Sequence, residues 1–110
     1  MGKFVKGDIV VLPFPFSDLS ASKRRPAFVV AIASANDVIL AQITSSSFSD
    51  SYAVELADKD FSSGGINVAS YIRPNKLFTA DINIIAYKAG NVKIEKLKDV
   101  ASIITDLVTI

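Results

Sequence analysis

Apolar positions fall in short runs over the first ninety residues or so, and then their period changes. Asp8 to Phe16 is dense in valine, isoleucine and phenylalanine, which predicts a strand. Pro13 and Pro15 withdraw two amide donors, so the end of that strand belongs at a sheet edge or outside the ladder. Arg25 to Ala33 predicts a second strand, almost continuously apolar, as a strand buried on both faces is. Ala35-Asn36-Asp37 reads as a tight turn, and Val38 to Ile43 as a third strand interrupted by Gln42. Tyr52 to Leu56 predicts a short fourth strand, and Val68 to Arg73 a fifth that Pro74 stops. Leu77 to Tyr87 predicts one or two more, ahead of a turn at Ala89-Gly90-Asn91. Polar connections separate them at Ser17 to Lys23, at Thr44 to Asp50, and over a long stretch from Ala57 to Asn67 centred on Ser62-Ser63-Gly64-Gly65.

From Ile94 the spacing becomes helical. Ile94, Leu97, Val100, Ile104, Leu107 and Val108 recur on one face, with charged residues between them. Short strands followed by one amphipathic helix predict a mainly β protein, a small and strongly bent sheet or barrel with a C-terminal α-helix. No internal repeat or linker divides the chain, so residues 1–110 read as a single domain.

Composition narrows the chemistry. Half of the 110 residues are hydrophobic, enough for a core without covalent staples. There is no cysteine and no histidine, which removes disulfides, thiolate metal sites and the usual neutral-pH acid/base group. Net charge is only +1, yet it is unevenly spread: +3 over residues 1–30, −3 over 31–87 and +1 over 88–110. No apolar run is long enough to span a bilayer, and the N-terminus makes a poor signal peptide, so a cytoplasmic protein is the simplest expectation.

Lys23-Arg24-Arg25 stands directly before an apolar strand. Such a run is ordinarily a solvated loop end. Arginine, however, presents a permanently charged planar fork that suits phosphate oxygens, and Pro26 biases Arg25 toward extended geometry. Thr44-Ser45-Ser46-Ser47 follows the third strand. Hydroxyls there usually satisfy nearby backbone, and they also offer a donor beside an arginine. If strands two and three form a hairpin turning near residue 35, Arg25 lies about ten positions before the turn and Thr44 about nine after it, so register brings them together. An arginine and a hydroxyl suit stabilisation of an anionic phosphorane-like transition state, and RNA carries its own 2′-OH nucleophile. A general base is the missing element. Asp18 and Glu55 are the candidates. Phe14, Phe16, Phe48, Tyr52 and Tyr71 are either core or stacking surfaces for unpaired bases, with core the commoner role. Asp58 and Asp60 in a Gly/Ser loop are ordinarily solvated.

The stretch GDIVVLPFPFSDLSASKRRPAFVV, from Gly7 to Val30, resembles the opening of the MazF/PemK toxins of type II toxin–antitoxin pairs. The likeness continues through Ile43-Thr44-Ser45, Ser70-Tyr71-Ile72-Arg73-Pro74, Lys76-Leu77 and Gly90. The resemblance implies an SH3-like β-barrel with a C-terminal helix, assembled as a homodimer. It implies a metal-independent, cofactor-free endoribonuclease that cuts single-stranded RNA to 2′,3′-cyclic phosphate and 5′-hydroxyl ends and is held in check by a cognate antitoxin. The family's catalytic arginine and threonine fall on Arg25 and Thr44, the pair chosen by the hairpin argument. Asp18, Lys23, Arg24, Ser45, Ser70 and Arg73 are carried over as RNA contacts. One departure is Lys93 ahead of the helix, where relatives commonly place a hydroxyl; lysine cannot accept the capping hydrogen bond. Two rival readings stay open: a toxin of the same fold that binds a protein target such as DNA gyrase, and an SH3-like interaction module.

Overall fold

A computed structural model describes residues 3–13, 24–45 and 51–110. The strands are β1 (Asp8–Pro13), β2 (Arg24–Ile32), β3 (Asp37–Thr44), β4 (Val54–Leu56), β5 (Phe61–Gly64), β6 (Ser70–Asp81) and β7 (Tyr87–Val92). The helix is α1 (Ile94–Val108). The strands form one curled antiparallel sheet in the order β4-β6-β3-β2-β1-β7-β5. This is the mainly β architecture with a C-terminal helix that the residue pattern predicts.

Alternation along the strands builds two apolar clusters, one for each face of the sheet. The first gathers Ile9, Phe28, Ala41, Ile43, Leu56 and Ile72 and takes Val100 from α1. The second gathers Val10, Leu12, Ala27, Val29, Val38, Leu40 and Ala80. Strands β1 to β3 therefore bury both faces, which is why β2 reads as an unbroken apolar run. Full burial of a side chain such as Phe28 stabilises the fold by roughly 2–3 kcal/mol.

The helix seats Val100, Leu97 and Ile104 on the first cluster. Ile94, Leu107 and Val108 of the same predicted stripe remain exposed. Lys93 occupies the N-cap and makes no side-chain capping bond. Backbone and a neighbouring side chain hold the helix start instead: the Lys93 amide donates to the Asp60 carbonyl at 2.8 Å, and Lys96 Nζ donates to the Glu55 carbonyl at 2.8 Å.

Several boundaries differ from expectation, among them Leu77 to Tyr87, which holds the end of β6 and a 3-10 turn at Ile82–Ile84 rather than strands of its own. Pro74 does not stop a strand; β6 runs through it to Asp81. Its ladder with β3 jumps from Gln42↔Arg73 to Ala41↔Leu77, so Pro74 sits in a bulge where no amide donor is required. Val68 lies before that strand rather than in it. The stretch from Ala57 to Asn67 is not one open loop: it holds a 3-10 turn at Asp58–Asp60 and the edge strand β5. Ala89-Gly90-Asn91 is not a turn but part of β7, which shifts register against β1 at this point. Gly90 is required there because a Cβ would lie 2.5 Å from the Ser63 carbonyl oxygen of β5. Residues 14–16 of the first predicted strand, the Ser17 to Lys23 loop and residues 46–50 lie outside the described residues.

Candidate functional site

The β2–β3 ladder pairs Phe28 with Ala41 and Ala27 with Gln42. Continued by two positions, this register sets Arg25 opposite Thr44. The row extends further, because Thr44 pairs with Tyr71 across β6, and Tyr71 pairs with Glu55 across β4. Thr44, Tyr71 and Glu55 thus occupy one cross-strand line over three adjacent strands, and Arg25 on β2 falls on its continuation, two positions past the last paired residues, Ala27 and Gln42. Arg25 and Glu55 at its ends are exposed, while Thr44 and Tyr71 between them are half-buried. Arg73 pairs with Gln42 and so lies on the same face, one pleat further along.

Arg24, Ser45 and Ser70 belong to the opposite face. They line a cleft of about 650 Å³ together with Val11, Pro26, Ile43, Tyr87, Ala89 and the segment Gly65 to Val68, and Arg25 borders it as well. Arg24 and Arg25 bring two positive charges to this cleft. Ser70 is only 5% exposed, and its hydroxyl donates to the Val68 carbonyl at 2.8 Å. Its donor is therefore committed to the chain turn, leaving the hydroxyl oxygen as an acceptor. The Gly65 amide donates to the Ala89 carbonyl at 3.3 Å, tying the cleft wall to β7.

The expected site residues are thus divided by strand geometry. Thr44 and Arg73 share one face and Arg24, Ser45 and Ser70 the other, while Arg25, at the strand end, also borders the cleft. Asp18 and Lys23 lie outside the described residues. Glu55 falls at the far end of the Arg25–Thr44 row, three strands from the arginine. Tyr71 as the bridge between Thr44 and Glu55 is the feature that pattern reading missed. Its signal was the alternation Ser70-Tyr71-Ile72-Arg73, which sends Tyr71 and Arg73 to one face and Ser70 and Ile72 to the other.

The Asp60 carboxylate is engaged structurally. It accepts from the Ala57 amide at 2.9 Å and lies 3.5 Å from Lys96 Nζ. Among the described residues no cluster of three or more metal-ligating side chains occurs. No helix among them is long and apolar enough to cross a membrane.

Comparison with known proteins agrees with this fold. No curated protein matches the sequence. Among solved structures, the Mycobacterium tuberculosis toxin MazF-mt6 superposes with a TM-score of 0.70 at 16% identity, over 90% of this chain and 93% of that one. The MazE-MazF structure from Deinococcus radiodurans gives 0.73 at 17% identity, over 94% of each chain. An endoribonuclease in complex with its cognate antitoxin, from a mycobacterial species, gives 0.71 at 12% identity, over 96% of this chain and 93% of that one. At such identities these structures establish the shared fold alone. The sequence profile of the PemK-like, MazF-like toxins of type II toxin–antitoxin systems matches residues 5–108, nearly the whole chain, and the protein belongs to that family.

Proposed function

We propose that this toxin is a metal-independent endoribonuclease that cuts single-stranded RNA, messenger RNA included, at short sequences. The reading rests above all on the β2–β3 register, which, continued to the strand ends, sets Arg25 across from Thr44. In the proposed reaction the 2′-hydroxyl attacks the adjacent phosphorus, and its proton passes through solvent water to the departing 5′-oxygen. The P–O2′ bond forms, the P–O5′ bond breaks, and the products carry a 2′,3′-cyclic phosphate and a 5′-hydroxyl. Negative charge develops on the non-bridging oxygens. The Arg25 guanidinium neutralises it with its planar fork, and the Thr44 hydroxyl donates to it. Lys23, Arg24 and Arg73 hold flanking phosphates, and Asp18, Ser45 and Ser70 are further RNA contacts.

The toxin works in the cytoplasm as a homodimer of single-domain chains, residues 1–110. The antitoxin complexes among its structural neighbours support a cognate antitoxin as its regulating partner. The exposed apolar residues Ile94, Leu107 and Val108 of α1 are compatible with a protein partner on that side.

The test is cleavage of a long single-stranded RNA by purified protein in EDTA, with product ends mapped. Discrete cuts with cyclic-phosphate ends, reduced about 10²–10³-fold by Arg25→Ala and by Thr44→Ala, support the reading. No cutting by folded, antitoxin-free protein overturns it and turns attention to a protein target such as gyrase.

A further inference from the structure

Two members of the Arg25–Thr44–Tyr71–Glu55 row have no part in the chemistry just described. A carboxylate is an odd neighbour for a phosphate site, since it repels the ligand that Arg25 attracts. Glu55 is exposed, and among the described residues its carboxylate enters no ion pair; only its backbone carbonyl is engaged, by Lys96. It stands two interstrand spacings from Thr44, about 10 Å. That span resembles the distance from a phosphate to the far edge of its own purine base. Tyr71 fills the position between them and is half-buried.

We propose that Tyr71 and Glu55 form the base-reading subsite of this toxin: an unpaired base beside the scissile phosphate stacks on Tyr71, and its Watson–Crick edge donates to the Glu55 carboxylate. The inference rests on the ribonuclease reading and adds a specificity to it. An ionised carboxylate only accepts hydrogen bonds. It matches guanine best, whose N1–H and N2–H form a two-donor edge. It also accepts from the amino groups of cytosine and adenine. It suits uracil worst, which offers one donor between two acceptors. Stacking on Tyr71 supplies affinity without base preference, and Glu55 supplies preference with little affinity. The row thus orders its functions by strand: β2 and β3 hold the phosphate, β6 holds the base plane, and β4 reads the base edge.

Two experiments test this and separate its failure from that of the ribonuclease reading. The first is an NMR titration of the wild-type protein with 5′-GMP, 5′-UMP and, as a base-free control, ribose 5-phosphate. The Tyr71 ring signals are expected to shift saturably with GMP, less with UMP and not with the sugar phosphate. Glu55→Ala, at an exposed position, should remove the difference between GMP and UMP. Tyr71 signals that ignore all three probes, or a GMP preference unchanged in Glu55→Ala, overturn the subsite.

The second is cleavage of a random-sequence RNA with the cut sites sequenced. The wild type is expected to favour guanine over uracil at one position flanking the cut by tenfold or more. Glu55→Ala should flatten that position alone, and Glu55→Gln should shift it away from guanine, because the amide offers only one acceptor. Tyr71→Ala should raise KM about tenfold with kcat retained, and Tyr71→Phe should restore it. A toxin that cuts RNA with the same site preference in Glu55→Ala as in wild type overturns the subsite and leaves the ribonuclease reading standing. A toxin that cuts no RNA sinks the ribonuclease reading, and the nucleotide titration then decides the subsite by itself.

Discussion

Asn91 on β7 donates through Nδ2 to Oδ1 of Asp8 on β1 at 2.8 Å, across 83 residues of sequence. The other carboxylate oxygen accepts the Val5 amide at 2.8 Å, and Lys88 Nζ stands 3.9 Å away. Asp8 is fully buried. Its carboxylate therefore fixes three things together: the turn before β1, the β1–β7 pairing and the position of Gly7, which adopts φ +89°.

Replacing Asp8 by alanine leaves the Val5 amide and the Asn91 side chain without their acceptor. Each donor left unsatisfied in this part-buried corner costs up to about 1–3 kcal/mol. The expected loss is about 2–4 kcal/mol in urea denaturation, with Asp8→Asn intermediate because it keeps one acceptor. A loss under 0.5 kcal/mol for Asp8→Ala would show that the carboxylate does not organise this corner.

Gly64 and Gly90 allow β5 to lie against β7. A Cβ on Gly64 would sit 2.1 Å from the Ala89 carbonyl oxygen, and its φ is +70°. Alanine at either position should release β5, at a cost of roughly 1–3 kcal/mol from backbone strain and overpacking. Hydrogen exchange of the residue 61–64 amides would rise while that of β2 and β3 stays protected. Gly65→Ala is the control: its φ is ordinary and its nearest neighbour is an Asp58 side-chain oxygen at 3.3 Å. It should change stability by less than about 0.5 kcal/mol.

These glycines mark where sequence patterning stopped being informative. The core strands were legible because two-sided burial writes an unbroken apolar run, as in Ala27 to Val30. The helix was legible because its period differs, and the β2–β3 hairpin because a polar turn joins two apolar runs. Pro74 and Gly90 were misread as breakers because their tolerance depends on long-range partners: a bulge against β3 for one, the carbonyl of Ser63 for the other. Lys23-Arg24-Arg25 reads as one cationic patch along the chain. In the strand, Arg24 and Arg25 leave by opposite faces, and this division becomes visible only once Arg24 is known to lie inside β2.

Lys96 joins the helix to the β4–β5 connection. Its Nζ donates to the Glu55 carbonyl at 2.8 Å and stands 3.5 Å from Asp60, both side chains being mostly covered. Lys96→Met keeps the apolar stem and removes the charge. It leaves Asp60 without its cation, so a loss of about 1–2 kcal/mol is expected, against a smaller loss when Asp60→Asn is added to it. A double-mutant cycle in denaturant measures the coupling directly, and additive effects would show that the pair contributes nothing.

The proposed roles of Arg25 and Thr44 differ in what each tolerates. Arg25 acts through a planar fork that engages two phosphate oxygens together, and lysine offers only a point charge. Arg25→Lys should therefore recover little of the activity lost in Arg25→Ala, remaining about a hundredfold below wild type. Thr44 acts through a hydroxyl, so Thr44→Ser should stay within about tenfold of wild type while Thr44→Ala falls by 10²-fold or more. Arg25 is exposed, and its two variants should melt within about 0.5 kcal/mol of wild type. Single-turnover cleavage rates on one RNA, measured beside thermal denaturation, separate chemistry from folding. Full activity in Arg25→Lys would mean that charge alone suffices at the phosphate and that the fork geometry set by β2 has no role in catalysis.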